Sequence, residues 1–240
     1  MLPAVKLKSK MKSNLFDTRN TLTGSILILA SFGFFISWFL MPDPGTTDTT
    51  HILSIVQASR ITVLTSIIIQ IVTCVLYLIA LFLLARISFR QKRSALAGII
   101  LLAVGVMGLC SDAFFHLLAY FMTDDSVTIQ QDVVRVMDFM QTSGVAFLLP
   151  ILLPFFIGTL VVAVTFNKQG IVTKASQNII IAAFLIGIVS AFAKKTHICE
   201  PAPMIVTLGL FAIGQAFIGL DLIRGSYKLK SASPAYQYQN

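Results

Sequence analysis

The chain has 240 residues with a formal net charge of +8, and it is 56% hydrophobic and only 12% charged. Soluble domains carry about a quarter charged residues, so a water-solvated globular domain is excluded and lipid is the expected solvent for most of the surface. The basic excess does not point to nucleic acid, because its lysines and arginines sit at the ends of apolar runs and in alternate connections.

A transmembrane helix needs about 20 apolar residues to cross a hydrocarbon core of ~30 Å. Six runs qualify: Thr21–Leu40, Ile61–Ala85, Ser94–Met122, Thr142–Phe166, Asn178–Phe192 and Pro203–Leu222. None alternates apolar with polar as a barrel strand would, and backbone groups in hydrocarbon must then be paired within a helix. The expected fold is all-α: a polytopic membrane protein, a bundle of six transmembrane helices with both termini cytoplasmic. Its expected organisation is a basic cytoplasmic segment at 1–20, the six-helix domain at 21–224 and a disordered cytoplasmic tail at 225–240.

The first segment places Lys6, Lys8, Lys10, Lys12 and Arg19 ahead of the first run. Attraction to anionic inner-leaflet lipid, about 1 kcal/mol per basic residue, accounts for a mobile basic arm there. The first run is longer than a signal-peptide core and ends in Phe39, Leu40, Met41 and Pro42 rather than in small residues, which reads as a retained signal anchor. In the following connection, Pro and Gly turn residues precede Thr49 or Thr50 as a helix cap. Ile52, Leu53, Ile55 and Val56 then give an amphipathic turn at the interface.

Arg86, Arg90, Lys92 and Arg93 separate the second and third runs, Lys168 and Lys174 follow the fourth, and Arg224, Lys228 and Lys230 follow the sixth. By the positive-inside rule these connections are cytoplasmic. The opposite loops hold Asp43 and Asp48, then Asp124, Asp125, Asp132 and Asp138, then Glu200. Lys194 and Lys195 break the pattern by falling on the outer side, where snorkelling to headgroup phosphates accommodates them. Before the fourth run, Val133, Val134, Val136, Met137 and Met140 form an apolar stripe that projects a helix outward. Pro150 and Pro154, one turn apart, kink its outer half. The odd count of Cys74, Cys110 and Cys199, with no CxxC, points to packing rather than a disulfide framework.

Chemistry concentrates in the third run. GLCSDAFFHLLAYFM places Asp112 and His116 on one helix face, with Asp112 ~28 Å from Arg93 along the axis and hence near the outer boundary of the hydrocarbon. An ionisable residue at membrane depth is costly unless it meets protein or water, and so marks a candidate site. Arg60, Asp138, Gln141 and Thr142 are expected at the same level and would complete a ligand-binding pocket. His116 and Asp112 are also legitimate zinc ligands, and His51, His197 and Glu200 fall toward that side. Gln70 and Gln215, near mid-span, are expected to bond across helices, joined by Tyr77 and Tyr120, and Asp221 is expected to pair with Arg224. No lysine lies within a run to hold retinal, one intramembrane histidine does not make a bis-His haem site, and Ser111 points away from Asp112, against a Ser-His-Asp triad.

The basic first segment, QASRITVL leading into the second run, and LLPFFIGTLVVAVTF followed by NKQGIVTK resemble a bacterial family of six-span inner-membrane proteins. The resemblance covers most of the chain and implies architecture only; the expected location is the bacterial cytoplasmic membrane, with membrane lipids and a second copy or another membrane protein as expected partners. SDAFFH also resembles the zinc-dependent intramembrane hydrolases of the alkaline ceramidase and adiponectin receptor type through Ser111, Asp112 and His116. The serine spacing is off by one, the later HxxxH is missing, and those proteins have seven spans. Two functions therefore compete: a sensor, accessory or transport-related subunit binding a small ligand, lipid or proton in an outward-facing polar pocket, and a metal-dependent intramembrane lipid hydrolase.

Overall fold

The computed structural model describes residues 3–42, 48–88, 93–127, 131–195 and 202–225, the backbone alone for 3–18, 191–195 and 202–203. No strand occurs among these residues. The helices are α1 (Pro3–Leu40), α2 (Thr49–Ala58), α3 (Arg60–Ser88), α4 (Arg93–Met122), α5 (Gln131–Phe139), α6 (Val145–Lys168), α7 (Lys174–Lys195) and α8 (Ala202–Ile223), with a π-helical turn, Met140–Gly144, joining α5 to α6. Five helical stretches are long and apolar enough to cross a membrane: Arg19–Leu40, Arg60–Arg86, Arg93–Met122, Gln131–Lys168 and Met204–Ile223. The remaining run forms the shorter apolar helix Lys174–Ser190. This is an all-helical chain with the spans of a multi-pass membrane protein.

α1 runs unbroken from Pro3, so the basic segment expected to be a mobile arm continues the first apolar helix. Proline is tolerated at the first helical position, where its missing N–H would have had no partner. At the start of α2 the cap is Asp48, one residue before the expected threonines. Its carboxylate accepts from the Thr50 and His51 N–H groups at 3.0 and 3.1 Å, and its negative charge suits the positive end of the helix dipole. The Asp43 connection, His197, Cys199, Glu200 and the 226–240 tail lie outside the described residues.

The six long helices close into a ring in the order α1, α3, α4, α6, α7, α8 and back to α1. Glycine sets the closest approaches. A Cβ on Gly108 would stand 2.7 Å from the Ile151 and Leu152 backbone, and one on Gly105 would overlap Phe155, so α4 and α6 meet backbone to backbone. Gly24 and Gly219 do the same for α1 and α8. Without a hydrophobic drive between helices in lipid, such small-residue contacts supply the van der Waals packing that holds a bundle together. Phe155 fills the centre of the ring, its ring centroid 5.1 Å from Phe34 and 5.3 Å from Tyr77.

A second, smaller apolar cluster caps one end. Leu53 and Val56 of α2 and Met137 of α5, with Met140 of the π turn, pack on Val63, Ile67 and Ala119 of α3 and α4. The opposite end is tied by Asp221. Its Oδ2 accepts from the Thr173 N–H at 2.7 Å, the Thr173 hydroxyl at 2.9 Å and the Ser176 hydroxyl at 2.6 Å. The expected Asp221–Arg224 pair is therefore replaced by a clamp of α8 onto the start of α7. The buried carboxylate finds three donors at a helix N-terminus, where the dipole also favours it.

Candidate functional site

The polar centre lies where α1, α3 and α4 converge, just below the α2/α5 cap. Asp112 is 8% exposed. Gln70, one helix away on α3, donates from Nε2 to Asp112 Oδ2 at 2.9 Å and to the Leu109 carbonyl at 3.0 Å. His116, one turn further along α4, holds Nδ1 3.7 Å from the same carboxylate oxygen, within ion-pair range and beyond hydrogen-bond range. The Trp38 ring of α1 stands edge-on to the imidazole, centroids 6.2 Å apart. His116 Nδ1 and Trp38 Nε1 are both buried without a hydrogen-bond partner. Cys74, buried on α3, lies one helical turn beyond Gln70, and Cys110 precedes Asp112 by two residues on α4.

Among the described residues, no lysine or arginine pairs with Asp112. A carboxylate taken out of water pays a solvation penalty that a single amide donor offsets only in part. The arrangement therefore suits a positive charge arriving beside Asp112, whether on His116 or from outside.

The remaining expected pocket residues sit elsewhere. Arg60 Nη2 pairs with Asp124 Oδ2 at 3.0 Å, while Nη1 donates to the Thr123 carbonyl and, at 3.3 Å, to the Tyr120 carbonyl. Its guanidinium also lies 4.3 Å from the Tyr120 ring centroid. Arg60 thus caps the C-terminal end of α4, where the last carbonyls lack helical partners. Asp124 is held below the usual carboxylate range, first by the Ser126 hydroxyl and N–H and then by Arg60. Asp138 accepts from the Thr49 hydroxyl at 3.5 Å in a separate open groove of about 640 Å³ between α2 and α5, shared with Asp48, Asp132 and Arg135. Gln141 occupies the π turn.

Zinc does not fit the centre as a protein-held ion. Asp112 and His116 offer two donors, and no group of three His, Cys, Asp or Glu side chains converges among the described residues, whereas a zinc site takes three or four protein ligands. Ser111 donates to the Met107 carbonyl at 3.0 Å and lines a different, largely apolar pocket with Phe114, Phe115, Leu118 and Met140.

Of the residues at the centre, Trp38 carries little warning in the sequence, whereas Gln70 is one of those expected to bond across helices. Trp38 is the chain's one tryptophan, and a tryptophan at the end of an apolar run has the signature of an interfacial anchor. Gln70 belongs to a readable pattern: Ser66, Gln70, Thr73 and Tyr77 recur at helical spacing in an otherwise apolar run, and all four are buried. Ser66 donates to the Ser37 carbonyl at 2.6 Å, and Tyr77 donates to Gln215 Oε1, whose Nε2 donates to Thr159 at 2.9 Å. The polar face of α3 thus stitches α1, α4, α8 and, through Gln215, α6. Comparison with protein-family models, with curated proteins and with solved structures finds no match to this chain.

Proposed function

We propose that this chain is a six-span protein of the bacterial cytoplasmic membrane, both termini cytoplasmic, whose Asp112–His116 centre binds a proton or small polar ligand from the outer side. On this reading it acts as a sensor, accessory or transport-related subunit. The observation that carries the proposal is a buried carboxylate with one amide donor and, among the described residues, no basic side-chain partner but His116, whose Nδ1, like the Nε1 of the neighbouring Trp38, has no hydrogen-bond partner. A proton or small cation bound there would supply the positive charge that the carboxylate lacks, with the His116 imidazole 3.7 Å away. The hydrolase alternative is not supported by Ser111 or by the ligand set. The basic connections of α3 to α4 and α6 to α7 support the orientation.

The test is thermal unfolding of the detergent-purified protein between about pH 5 and 8, with Asp112→Asn and His116→Gln alongside. Proton binding at the centre of the folded chain makes its stability respond to pH, so both variants should lose part of the wild-type response. Parallel curves for all three would remove the proposal. Stoichiometric zinc in the purified protein, lost on His116→Ala, would return the hydrolase to consideration.

A further inference from the structure

Among the described residues, the buried side-chain nitrogens and oxygens without a partner collect at the two ends of the bundle. Trp38 Nε1 and His116 Nδ1 lie toward the α2/α5 end, and Arg19 Nε, Asn20 Oδ1 and the Gln169 amide lie at the other. Between them the buried polar groups of α3, α6 and α8 satisfy one another through Tyr77, Gln215 and Thr159, with Phe34 and Phe155 packed alongside. Buried polar atoms that no protein group satisfies are where ordered water or an ion belongs. The pattern is two ends with unpartnered buried polar atoms separated by a paired and packed middle.

We propose that water enters the interior from the α2/α5 end past Trp38 and His116 and reaches Asp112 and Cys74. This outer vestibule ends at the Tyr77–Gln215–Thr159 layer and admits a small monovalent cation, the proton included. The inference rests on Asp112 being the functional centre and adds an access route and a charge class. A single carboxylate with, among the described residues, no group of three metal-ligating side chains around it gives one unit of compensation. Divalent ions demand six or more oxygen ligands or three to four tight donors. A carboxylate between low-dielectric walls also focuses its field on the approach path and concentrates cations there.

Cys74 offers a native reporter, since it is only 3% exposed and lies one helical turn from Gln70, which donates to Asp112. Silver ion is a monovalent cation that reacts with a thiol to give a silver thiolate and release one proton. Wild-type protein in right-side-out and inside-out vesicles, in nitrate buffer, would be exposed to Ag⁺, denatured and alkylated with N-ethylmaleimide, and the Cys74 peptide followed by mass spectrometry. The expected result is protection of Cys74 by Ag⁺ from the outer face alone. In Asp112→Asn, checked for a retained unfolding transition, protection should be slower by about tenfold, the lower end of what focused charge contributes to encounter rates. Protection from neither face, or from the inner face, overturns the vestibule, and an unchanged rate in Asp112→Asn overturns the cation assignment. A protected Cys74 without the Asp112-dependent pH response would instead count against the functional centre while leaving the vestibule, so the two failures are separable.

Discussion

Gln70 decides how Asp112 is tolerated. Its Nε2 is the one side-chain amide donating to that carboxylate, and replacing it with leucine keeps the volume close while stripping the donor. We expect Gln70→Leu to lower stability by about 1–3 kcal/mol, the cost of leaving a buried acceptor unpaired, measured by chemical denaturation in detergent. Gln70→Glu should be worse than Gln70→Leu, because it sets two carboxylates against each other. Asp124 gives a second prediction at the same scale. Its carboxyl is held low in the folded chain by Ser126 and Arg60, so its contribution is present above the ordinary carboxylate range of about 4. That contribution is lost as the pH falls through the lower folded value. Asp124→Asn should therefore flatten the acid limb of the unfolding curve below about pH 4 while leaving the pH 5 to 8 window unchanged. Asp112 and His116 were legible as a pair because i,i+4 spacing is a local property of one helix. That Arg60 would be drawn to Tyr120, Thr123 and Asp124 was not legible, because several exposed polar groups shared its level and only the packing chooses among them.

Elements are held together by backbone approach more than by side-chain bulk. Gly108 faces the Ile151 and Leu152 backbone at 2.7 Å from a would-be Cβ, a neighbour that cannot rotate away. Gly108→Leu should force α4 off α6 and cost at least the 1–3 kcal/mol typical of overpacking. Gly170→Ala tests a different property: open space surrounds it, but its φ of +73° suits glycine, so the cost should be about 1 kcal/mol and arise from the turn alone. The clamp at the opposite end makes α7 depend on α8. Asp221→Ala leaves the Thr173 N–H and two hydroxyls without their shared acceptor and should cost about 3 kcal/mol, seen as early loss of protection in α7 by hydrogen exchange. The apolar runs announced these helices through length and composition, and α6 runs from Val145 to Lys168 with Pro150 and Pro154 inside it. The π turn at Met140–Gly144 had no comparable signal, since it inserts one residue's worth of register without a breaker at its centre. The continuation of α1 into the basic segment was hidden for the opposite reason: lysine is a good helix former, so charge alone did not mark an end.

Taken whole, the molecule is a ring of helices with an apolar middle, a polar centre near one end and a clamped turn at the other. Ring order is a product of tertiary packing, and no single run encodes its neighbour, although the glycine and polar faces now account for α4 on α6 and α3 on α1 and α4. The proposed threading makes a direct prediction: a cysteine introduced at Asp132, in exposed α5, should react with a membrane-impermeant maleimide added to intact cells, whereas one at Lys168 should react only after permeabilisation. The reverse pattern would invert the bundle and place Asp112 toward the cytoplasm. The most direct measurement is the unfolding temperature of purified wild type and Asp112→Asn across about pH 5 to 8. We predict that the wild type responds to pH in a way that Asp112→Asn abolishes. Two parallel curves would contradict proton binding at Asp112 and leave Asp112 and His116 as structural bonds between helices.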